Sequence, residues 1–500
     1  MRNAPEALRI HSSDNVSVAL KPLNANATIE VGDTRIQVRE NIPAGHKIAV
    51  EHLRKQDKVV KYGHVIGHAT QNIESGSWVH SHNLATDLGK GLAYRYEPNL
   101  RQTQPAEARR TFMGYRRANG KVGTRNEVWI INTVGCVNVS ADRIARSCHE
   151  RFTSGNVDGV YAFAHPYGCS QLGDDLKHTQ KVLAGLMRNP NVGGVLVLGL
   201  GCENNQLQQL LALAGNVDRS RVRFFNSQEV EDEVEEGISA VAEVAQVMQH
   251  DRRTECGVAD LVVGLKCGGS DGFSGVSANP LVGRIADYLT DCGGTAILTE
   301  VPEMFGAEQQ LMNRAQNRAI FEQTVEMINQ FKEYFIRHNQ PIYENPSPGN
   351  KEGGLTTLEE KSLGAIQKGG TATVTQVLDY GEPVQCGGLA LLNAPGNDAV
   401  STTAQVASGA TILLFTTGRG TPLGLPVPTV KVSSNSQIFQ KKPRWIDFNA
   451  GSLLEGTATL ESLTQELFEF MLDVASGKSA TKNETNGYRE IAIWKEGVTL

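Results

Sequence analysis

Seven short apolar runs constrain the fold of this 500-residue chain more than any other feature. They are apolar on both faces and bounded by glycine, which is typical of strands buried on both sides of a parallel sheet. Stretches with helical periodicity, such as QLQQLLALAG, lie between them. This alternation predicts an open, mostly parallel, Rossmann-like α/β sheet. The runs are VWIINTV (128–134), GVYAFA (159–164), GVLVLGL (194–200), LVVGL (261–265), TAILT (295–299), LALLN (389–393) and TILLF (411–415).

The first hundred residues follow a different pattern. Runs such as SVAL, ATIEV and KVVKYG are broken by Gly, Pro, Asn and Asp at short intervals, which predicts a small all-β unit over residues 1–100. Residues 101–111 (RQTQPAEARRT) are polar, contain a proline and show no periodicity, so we expect them to form a linker. The α/β pattern begins after this linker, at about Phe112.

Composition and charge exclude several function classes. The chain is 40% hydrophobic and 20% charged, as expected of a globular protein, and its formal net charge is −6. So small a charge argues against nucleic acid or an anionic membrane as the main partner. The sequence has no apolar run of about 18 residues and no apolar signal-peptide core. We therefore expect a cytoplasmic protein whose eight cysteines stay reduced.

Four of the eight cysteines follow apolar runs directly: Cys136, Cys169, Cys202 and Cys267. Ligands bind at the carboxyl ends of the strands in open α/β sheets, so we expect these four turns on one edge of one sheet. Cysteine is also a small residue that packs well beside glycine, and this simpler explanation stays open for each position. The functional alternative is that the thiolates collect a soft or borderline divalent metal such as iron. The absence of a C-x-x-C pair disfavours a zinc ribbon or a thioredoxin-type site.

Other strand ends carry polar side chains. Glu300 and Glu303 follow one run, and Asp398 stands where a helix is predicted to begin. Arg419 offers a guanidinium fork suited to a carboxylate, and residues 345–354 form a donor-rich loop stiffened by proline. Each of these has a structural alternative, as a helix cap or a solvated charge.

Histidines supply candidates for proton transfer. His80 and His82, in the stretch V-H-S-H-N, point the same way if the chain is extended, which suits two ligands or a ligand and a base. His165 follows the second run, whereas His11 and His46 carry no pattern of their own. Nucleotide motifs (G-x-G-x-x-G and G-x-x-x-x-G-K-[ST]) and the G-x-S-x-G elbow are missing, which disfavours hydride transfer, ATP chemistry and serine hydrolysis.

With these residues in view, the chain resembles the altronate/galactarate dehydratase family from about Arg9 to Leu500. Two further stretches, Val79–Asn83 and Thr299–Glu308, resemble the altronate branch more than the galactarate branch. The long matching stretches are Tyr167–Asp175, Gly199–Asn205, Cys267–Asp271, Asn345–Lys351 and Thr417–Pro422.

The resemblance implies an N-terminal β-clip (SAF-type) domain, a middle α/β segment over residues 112–255 that is a candidate for dimerisation, and a C-terminal Rossmann-like α/β domain over residues 256–500. It also implies Fe²⁺ dependence with Mn²⁺ sometimes accepted, and an iron–sulfur cluster on three of the cysteines is an alternative. The implied reaction removes water from D-altronate and gives 2-keto-3-deoxy-D-gluconate. Galactarate, or another aldonate or aldarate, is the alternative substrate. A non-catalytic sugar-acid binding protein is a remote alternative.

These expectations give each residue a hypothetical role. The N-terminal domain has to fold over the sheet edge, in cis or from the partner in an expected homodimer, because it carries His80 and His82. His64 and His68 are left out of the site. The metal is assigned chiefly to Cys169, Cys202 and Cys267, with Cys136 or Glu203 as helper. Acid–base chemistry is assigned to His80, His82, His165 and Lys266, and substrate binding to Ser270, Asp271, Asn350, Lys351 and Arg419.

Overall fold

Short antiparallel strands build the N-terminal part of the chain, as the sequence predicts. The computed structural model describes residues 5–89, 94–102, 110–153, 155–215, 217–497 and 499. The strands form three small sheets in the orders β1-β2-β5-β8, β3-β4 and β6-β7-β9. Side chains of the first two sheets build a small apolar core, whereas the buried side chains of the third sheet join the core of the C-terminal half. They are β1 (Ala7–Leu8), β2 (Val16–Ala19), β3 (Thr28–Val31), β4 (Thr34–Gln37), β5 (Lys47–Ala49), β6 (Lys58–Lys61), β7 (His64–Ala69), β8 (Trp78–Val79) and β9 (Leu84–Ala85).

A four-stranded parallel sheet forms the middle of the chain. The strands are β10 (Thr111–Arg116), β11 (Val122–Gly123), β12 (Glu127–Asn132), β13 (Gly159–Ala162), β14 (Val192–Gly199), β15 (Val222–Asn226) and β16 (Thr254–Gly257), and the helices are α1 (Asn138–Phe152), α2 (Gly173–Met187), α3 (Leu207–Ala214) and α4 (Glu233–Met248). The order is β13-β12-β14-β15, while β10 pairs antiparallel with β11 and β16. β12 and β14 are buried along their whole length because helices cover both faces.

A second, seven-stranded parallel sheet fills the C-terminal half. Its order is β19-β20-β18-β17-β21-β22-β23. The strands are β17 (Val262–Cys267), β18 (Thr295–Leu298), β19 (Val374–Leu378), β20 (Gly388–Leu392), β21 (Ile412–Thr417), β22 (Thr429–Ser433) and β23 (Phe448–Asn449). The helices are α5 (Ala278–Asp291), α6 (Glu308–Met312), α7 (Arg318–Arg337), α8 (Pro348–Glu352), α9 (Leu358–Ala365), α10 (Asp398–Ala407), α11 (Ser436–Lys441), α12 (Leu460–Ala475) and α13 (Lys482–Thr485). None of the helices in the described ranges is long and apolar enough to cross a membrane.

All seven predicted runs are strands of parallel sheets, so the predicted fold class is confirmed. The expectation that four cysteine turns share one edge of one sheet is wrong, because the first three runs belong to the four-stranded sheet and the fourth to the seven-stranded one. Helices α2 and α10 pack between the two sheets, where Gly185 lies against Ala407. Most of the predicted linker, residues 103–109, lies outside the described residues.

The N-terminal domain is fastened to the C-terminal half of the same chain by a buried ion-pair triad. Glu360 on α9 accepts from Lys47 Nζ at 2.8 Å and from Lys61 Nζ at 2.7 Å, and all three side chains are buried. Burial alone would raise the pKa of Glu360, but the two ammonium groups hold it far below its usual range. Lys47 Nζ also donates to the carbonyl of Gly354 at 2.9 Å. The domain therefore docks in cis.

Replacing the shared carboxylate is expected to loosen this docking. Glu360→Gln leaves two buried ammonium groups without a counterion, which typically costs about 3–5 kcal/mol. The first transition in chemical denaturation should shift to lower denaturant. Glu359→Gln is the matched control, because the neighbouring Glu359 accepts from Thr86 Oγ1 and the Asp87 N–H and pairs with no cation among the residues that the structure describes. Equal shifts in the two variants would contradict the assigned role of the triad.

Candidate active site

Ionisable side chains meet at the carboxyl ends of two central strands of the seven-stranded sheet. Lys266 and Cys267 are the last two residues of β17, and Glu300 follows the adjacent strand β18. Glu300 has a left-handed backbone (φ 69°), which is uncommon for residues other than glycine. In this conformation its carboxylate turns back towards Cys267. A short 3₁₀ turn then brings Glu303 to the same place. All four side chains are buried.

Three of these side chains form a compact set of donor atoms. Cys267 Sγ lies 3.3 Å from Glu303 Oε2 and 3.7 Å from Glu300 Oε2. One ligand atom from each residue lies within 4.8 Å of the others, and no other such group of three occurs in the part of the chain that the structure describes. One sulfur and two carboxylate oxygens form a mixed soft and hard set that fits iron(II) and tolerates manganese(II). The site could therefore hold a metal ion.

Three buried lysines surround these three side chains. We name the six residues together the buried charge cluster: Lys266, Cys267, Glu300, Glu303, Lys361 and Lys368. Lys361 Nζ lies 2.8 Å from Glu303 Oε1, and Lys368 Nζ lies 2.8 Å from Cys267 Sγ. Lys266 pairs with Glu300 and, at 2.9 Å, with Asp398 at the start of α10. Thus two lysines hold the outer Oε1 atoms of the glutamates, while the Oε2 atoms turn towards the thiol.

Sequence reasoning missed Lys361 and Lys368 and left Glu300 and Glu303 without a role. A signal for the lysines was available. They stand seven residues apart, separated by the uncharged stretch S-L-G-A-I-Q, so they lie on one face of a helix. Helix α9 continues into a 3₁₀ turn (Ile366–Gly369) that delivers both ammonium groups to the carboxyl edge of the sheet.

Burial and neighbouring charges separate the acidities in the buried charge cluster. Burial, reinforced by the two carboxylates, raises the pKa of Cys267 to about 12, so its thiol is protonated at neutral pH. Burial and the like charge of Glu303 raise the pKa of Glu300. Burial also opposes ionisation of Glu303, but the ammonium of Lys361 overcomes it and lowers that pKa to about 2. Two adjacent carboxyl groups thus differ in proton affinity, which is typical of catalytic sites.

Helix α8 lies over this edge, at the point where the strand order reverses. The chain leaves β17 towards β18 on one side and returns to β21 on the other, and ligands usually bind at such a point. Arg419 Nη1 donates to the carbonyl of Gly349 at 2.9 Å, and its Nη2 lies 3.2 Å from Glu352. Asn350 Nδ2 donates to the carbonyl of Ser270 at 2.8 Å. Lys361 Nζ reaches Asn350 Oδ1 at 3.2 Å and so joins α8 to the buried charge cluster.

The N-terminal domain covers α8 with two histidines. His80 Nε2 donates to the carbonyl of Lys351 at 2.9 Å, and His46 Nε2 donates to that of Glu352 at 3.1 Å. Trp78 Nε1 donates to His46 Nδ1 at 3.2 Å, so the His46 ring is neutral. His82 is exposed beside Trp78, with ring centroids 5.5 Å apart. The domain therefore places His80 above the donor-rich loop and leaves His82 facing solvent.

Other predicted site residues have local structural partners. The Asp271 carboxylate accepts from Ser434 and Asn435, as well as from Ser274, and so ties loops together. His165 lies on the other sheet, where its Nε2 donates to the carbonyl of Asn132 at 2.9 Å and its Nδ1 accepts the Tyr167 N–H at 3.2 Å. Both ring nitrogens are occupied. Glu203 accepts from Thr133 and from the Leu200 and Gly201 N–H groups of its own turn.

The four predicted cysteine ligands do not form one group. Cys136, Cys169 and Cys202 are exposed at the carboxyl end of the four-stranded sheet, whereas Cys267 is buried in the seven-stranded sheet. The hypothesis of a single metal ion held by Cys267 together with the other three therefore lacks geometric support.

Acidification is expected to weaken the contact that His46 makes. Burial lowers the pKa of His46 to about 4, against about 6.5 in the unfolded chain. The unfolded chain therefore takes up a proton first, and stability is lost as the pH falls from about 6.5 towards 4. The loss in denaturation midpoint over this interval should be smaller in His46→Gln than in the unmodified chain. His82→Gln, at an exposed ring, should show the full loss.

Thiol reactivity should separate the cysteines of the metal-free protein. Exposed thiols are alkylated quickly at pH 8, whereas Cys267 is buried and its raised pKa keeps it protonated. Peptide mass spectrometry should find rapid modification at Cys136, Cys169, Cys202 and Cys386 and slow modification at Cys148, Cys256 and Cys267. Fast labelling of Cys267 in the folded chain would be incompatible with the described packing.

Profiles of known protein families match most of the chain. Three family profiles match the chain: "Altronate/galactarate dehydratase SAF domain" over residues 5–87, "D-galactarate dehydratase/Altronate hydrolase, second domain" over 114–249, and "D-galactarate/Altronate dehydratase, C-terminal" over 258–499.

Full-length relatives extend this result. The altronate dehydratases of Bacillus subtilis and Escherichia coli are each 49% identical to the chain over 494 residues, which is 99% of both chains. The galactarate dehydratase (L-threo-forming) of Escherichia coli is 34% identical over 503 residues, covering 97% of this chain and 96% of the relative. The chain belongs to the altronate/galactarate dehydratase family.

Proposed function

We propose that the chain is a metal-dependent hydro-lyase that converts D-altronate into 2-keto-3-deoxy-D-gluconate and water. The observation that carries this proposal is the buried charge cluster at the topological switch point of the seven-stranded sheet. Identity to named altronate dehydratases is 49%, against 34% to a named galactarate dehydratase, which favours altronate over the runner-up substrate, galactarate. The C2 proton leaves to a base, the C3 hydroxyl leaves as water, and the resulting enol becomes the keto acid.

Cys267, Glu300 and Glu303 are the residues that would hold the metal, with Fe²⁺ proposed and Mn²⁺ as substitute. When bound, such an ion supplies Lewis-acid polarisation of the substrate carboxylate and lowers the pKa of a neighbouring ammonium group. The carboxyl edge carries further cations for the sugar acid. Arg419 offers a planar fork to the carboxylate, and the side chain of Lys351 is half-buried on α8.

Lys368 is the proposed base and Lys361 the proposed acid. Lys368 Nζ is buried at 2.8 Å from the cysteine sulfur, close to the donor atoms that would hold the ion. Burial opposes the charged form of Lys368, but the neighbouring negative charges outweigh burial and raise its pKa. A bound cation would oppose those charges, and the neutral amine would then accept the C2 proton. Lys361 is held protonated because the carboxylate of Glu303 raises its pKa against the effect of burial, so it can deliver a proton to the leaving hydroxyl. His80 and His82 stay predicted site residues, contributed by the N-terminal domain that covers α8. Lys266 neutralises Glu300 and Asp398.

The buried position of this chemistry requires an opening step. Helix α8 and the N-terminal domain cover the buried charge cluster, so substrate reaches it only when they move apart. Closure then removes water, which strengthens the charge interactions with the developing enolate.

Removal of either proposed proton-transfer group should abolish most turnover. Lys368→Met and Lys361→Met are expected to lower kcat about 10²–10⁴-fold for keto-acid formation from D-altronate. Lys332→Met is the matched control, since Lys332 forms a buried ion pair with Glu308 at 2.7 Å on another helix. It should lose stability yet keep kcat within a few-fold.

A substrate panel of altronate, galactarate and other aldonates tests the substrate. Greater kcat/KM for galactarate than for altronate would overturn the substrate assignment. Near-normal kcat in folded Lys368→Met protein would overturn the assignment of the base.

A further inference from the structure

The four-stranded sheet has a ligand-binding edge of its own that the proposed function does not use. Its order, β13-β12-β14-β15, places β12, which comes first of the four along the chain, between β13 and β14, which come second and third. The strand order therefore reverses between β12 and β14. In open α/β sheets the crevice outside the carboxyl ends at such a reversal is the usual binding position. Three turns reach this crevice, and each of them carries an exposed cysteine.

The three turns form one hydrogen-bonded unit. The Gly135 N–H donates to the carbonyl of Tyr167 at 2.9 Å, and the Asn205 N–H donates to the carbonyl of Gly168 at 3.0 Å. The Ser170 N–H donates to Asn204 Oδ1 at 2.7 Å. Cys136, Cys169 and Cys202 are thus held on a common rim, although they lie 33 or more residues apart in sequence.

Close packing fixes the backbone beside each cysteine. A Cβ at Gly168 would lie 2.1 Å from the carbonyl oxygen of Thr133, and one at Gly135 would lie 2.8 Å from that of His165. Gly201 has φ +126°, which L side chains rarely adopt. Because each glycine directly precedes a cysteine, close packing fixes the backbone position from which each of the three cysteine side chains extends.

Unsatisfied polar atoms at the same edge point independently to a bound group. Asn132, the last residue of β12, and Asn205, on the third turn, are both buried. Neither side-chain oxygen has a hydrogen-bond partner among the residues that the structure describes. Buried acceptors are rarely left in this state, so bound water or a metal centre that takes an oxygen ligand is expected there. Two exposed apolar side chains, Val139 and Leu172, flank the cysteines and offer a partial apolar shell.

The spacing of the thiols favours a polynuclear centre over a single ion. Adjacent strands lie about 4.8 Å apart, so turns leaving three neighbouring strands present their thiols across up to roughly 10 Å. Two thiolates on one ion, with bonds of ~2.3 Å, have to lie within about 4 Å of each other. In the described part of the chain these thiols are not among the groups of three donors within 4.8 Å. Inorganic sulfide and several irons bridge a wider gap.

We propose that Cys136, Cys169 and Cys202 hold an iron–sulfur cluster at the switch point of the four-stranded sheet, separate from the buried charge cluster. All three thiols are exposed at the edge of one sheet, whereas Cys267 is buried in the other sheet. Gln228 Nε2, at 3.6 Å from Cys202 Sγ, and Ser170 Oγ, at 3.8 Å from Cys169 Sγ, supply the hydrogen bonds to sulfur that tune such centres. Three cysteines leave one iron of a four-iron cluster open to an oxygen ligand.

Iron and sulfide analysis of the full-length protein, purified without oxygen, tests the proposal. We expect acid-labile sulfide and a visible sulfide-to-iron charge-transfer band, with iron exceeding sulfide only by the ion proposed for the buried charge cluster. Cys136→Ser, Cys169→Ser and Cys202→Ser should each lose the band and the sulfide. Cys386→Ser is the matched control because Cys386 is also exposed but lies before β20 of the other sheet, and it should keep both. Cys267→Ser should keep the sulfide as well.

A second measurement, alkylation of the cysteines, uses the unmodified protein and therefore does not depend on the folding of any variant. In the purified holoprotein, alkylation should spare Cys136, Cys169 and Cys202 and still modify Cys386, whereas removal of iron by a chelator should make all four react. Iron without sulfide, lost only in Cys267→Ser, would overturn the cluster and leave the proposed dehydratase site intact. Equal alkylation of the four thiols in iron-loaded protein would also overturn it. An intact cluster in protein that dehydrates no sugar acid would instead contradict the proposed function alone.

Discussion

Charge compensation without water is the constraint on which this structure depends. At the edge of the seven-stranded sheet, three buried ammonium groups face Glu300, Glu303 and the half-buried Asp398. An isolated charge in such a place costs several kcal/mol, so every member requires its partners in position. Those partners come from two strands, from α9 with its 3₁₀ extension and from the start of α10. Pairing of charges thus fixes the positions of these strands and helices relative to one another more closely than apolar packing alone would.

The same constraint joins the domains. Lys47 and Lys61 leave water only because Glu360 meets both of them, and this places the N-terminal domain against α8. Once the domain is docked, His46 and His80 meet the last carbonyl groups of that helix. The docking also explains why histidines so far from the sheet in sequence can belong to its ligand-binding edge. Helix α9 therefore contributes both to the ion-pair triad and to the proposed active site. Glu360 points to the interface with the N-terminal domain, and the next residue, Lys361, points to the buried charge cluster.

The sequence predicts the strands well and their grouping poorly. An apolar run reveals that a strand is covered on both faces, but it carries no information on which strand pairs with it, so the runs do not distinguish two sheets from one. Lys266 and Cys267 could be placed because they end such a run. The spacing of Lys361 and Lys368 indicates that they share one face of a helix, but lysines on a helix usually face solvent and only tertiary contacts reveal that these two are buried. Asp271 and His165 resemble reactive groups in sequence, yet local hydrogen bonds satisfy both.

Because the N-terminal domain belongs to the same polypeptide as the sheet it covers, its docking is an intramolecular equilibrium. Because the linker keeps the domain close to its partner surface, the effective concentration of that surface is high. Even a modest interface therefore forms again quickly after each opening. If a sugar acid binds at Arg419 and α8, as proposed, its binding free energy favours the closed form. Occupancy of the site would then hold the N-terminal domain closed, and product release would favour its opening.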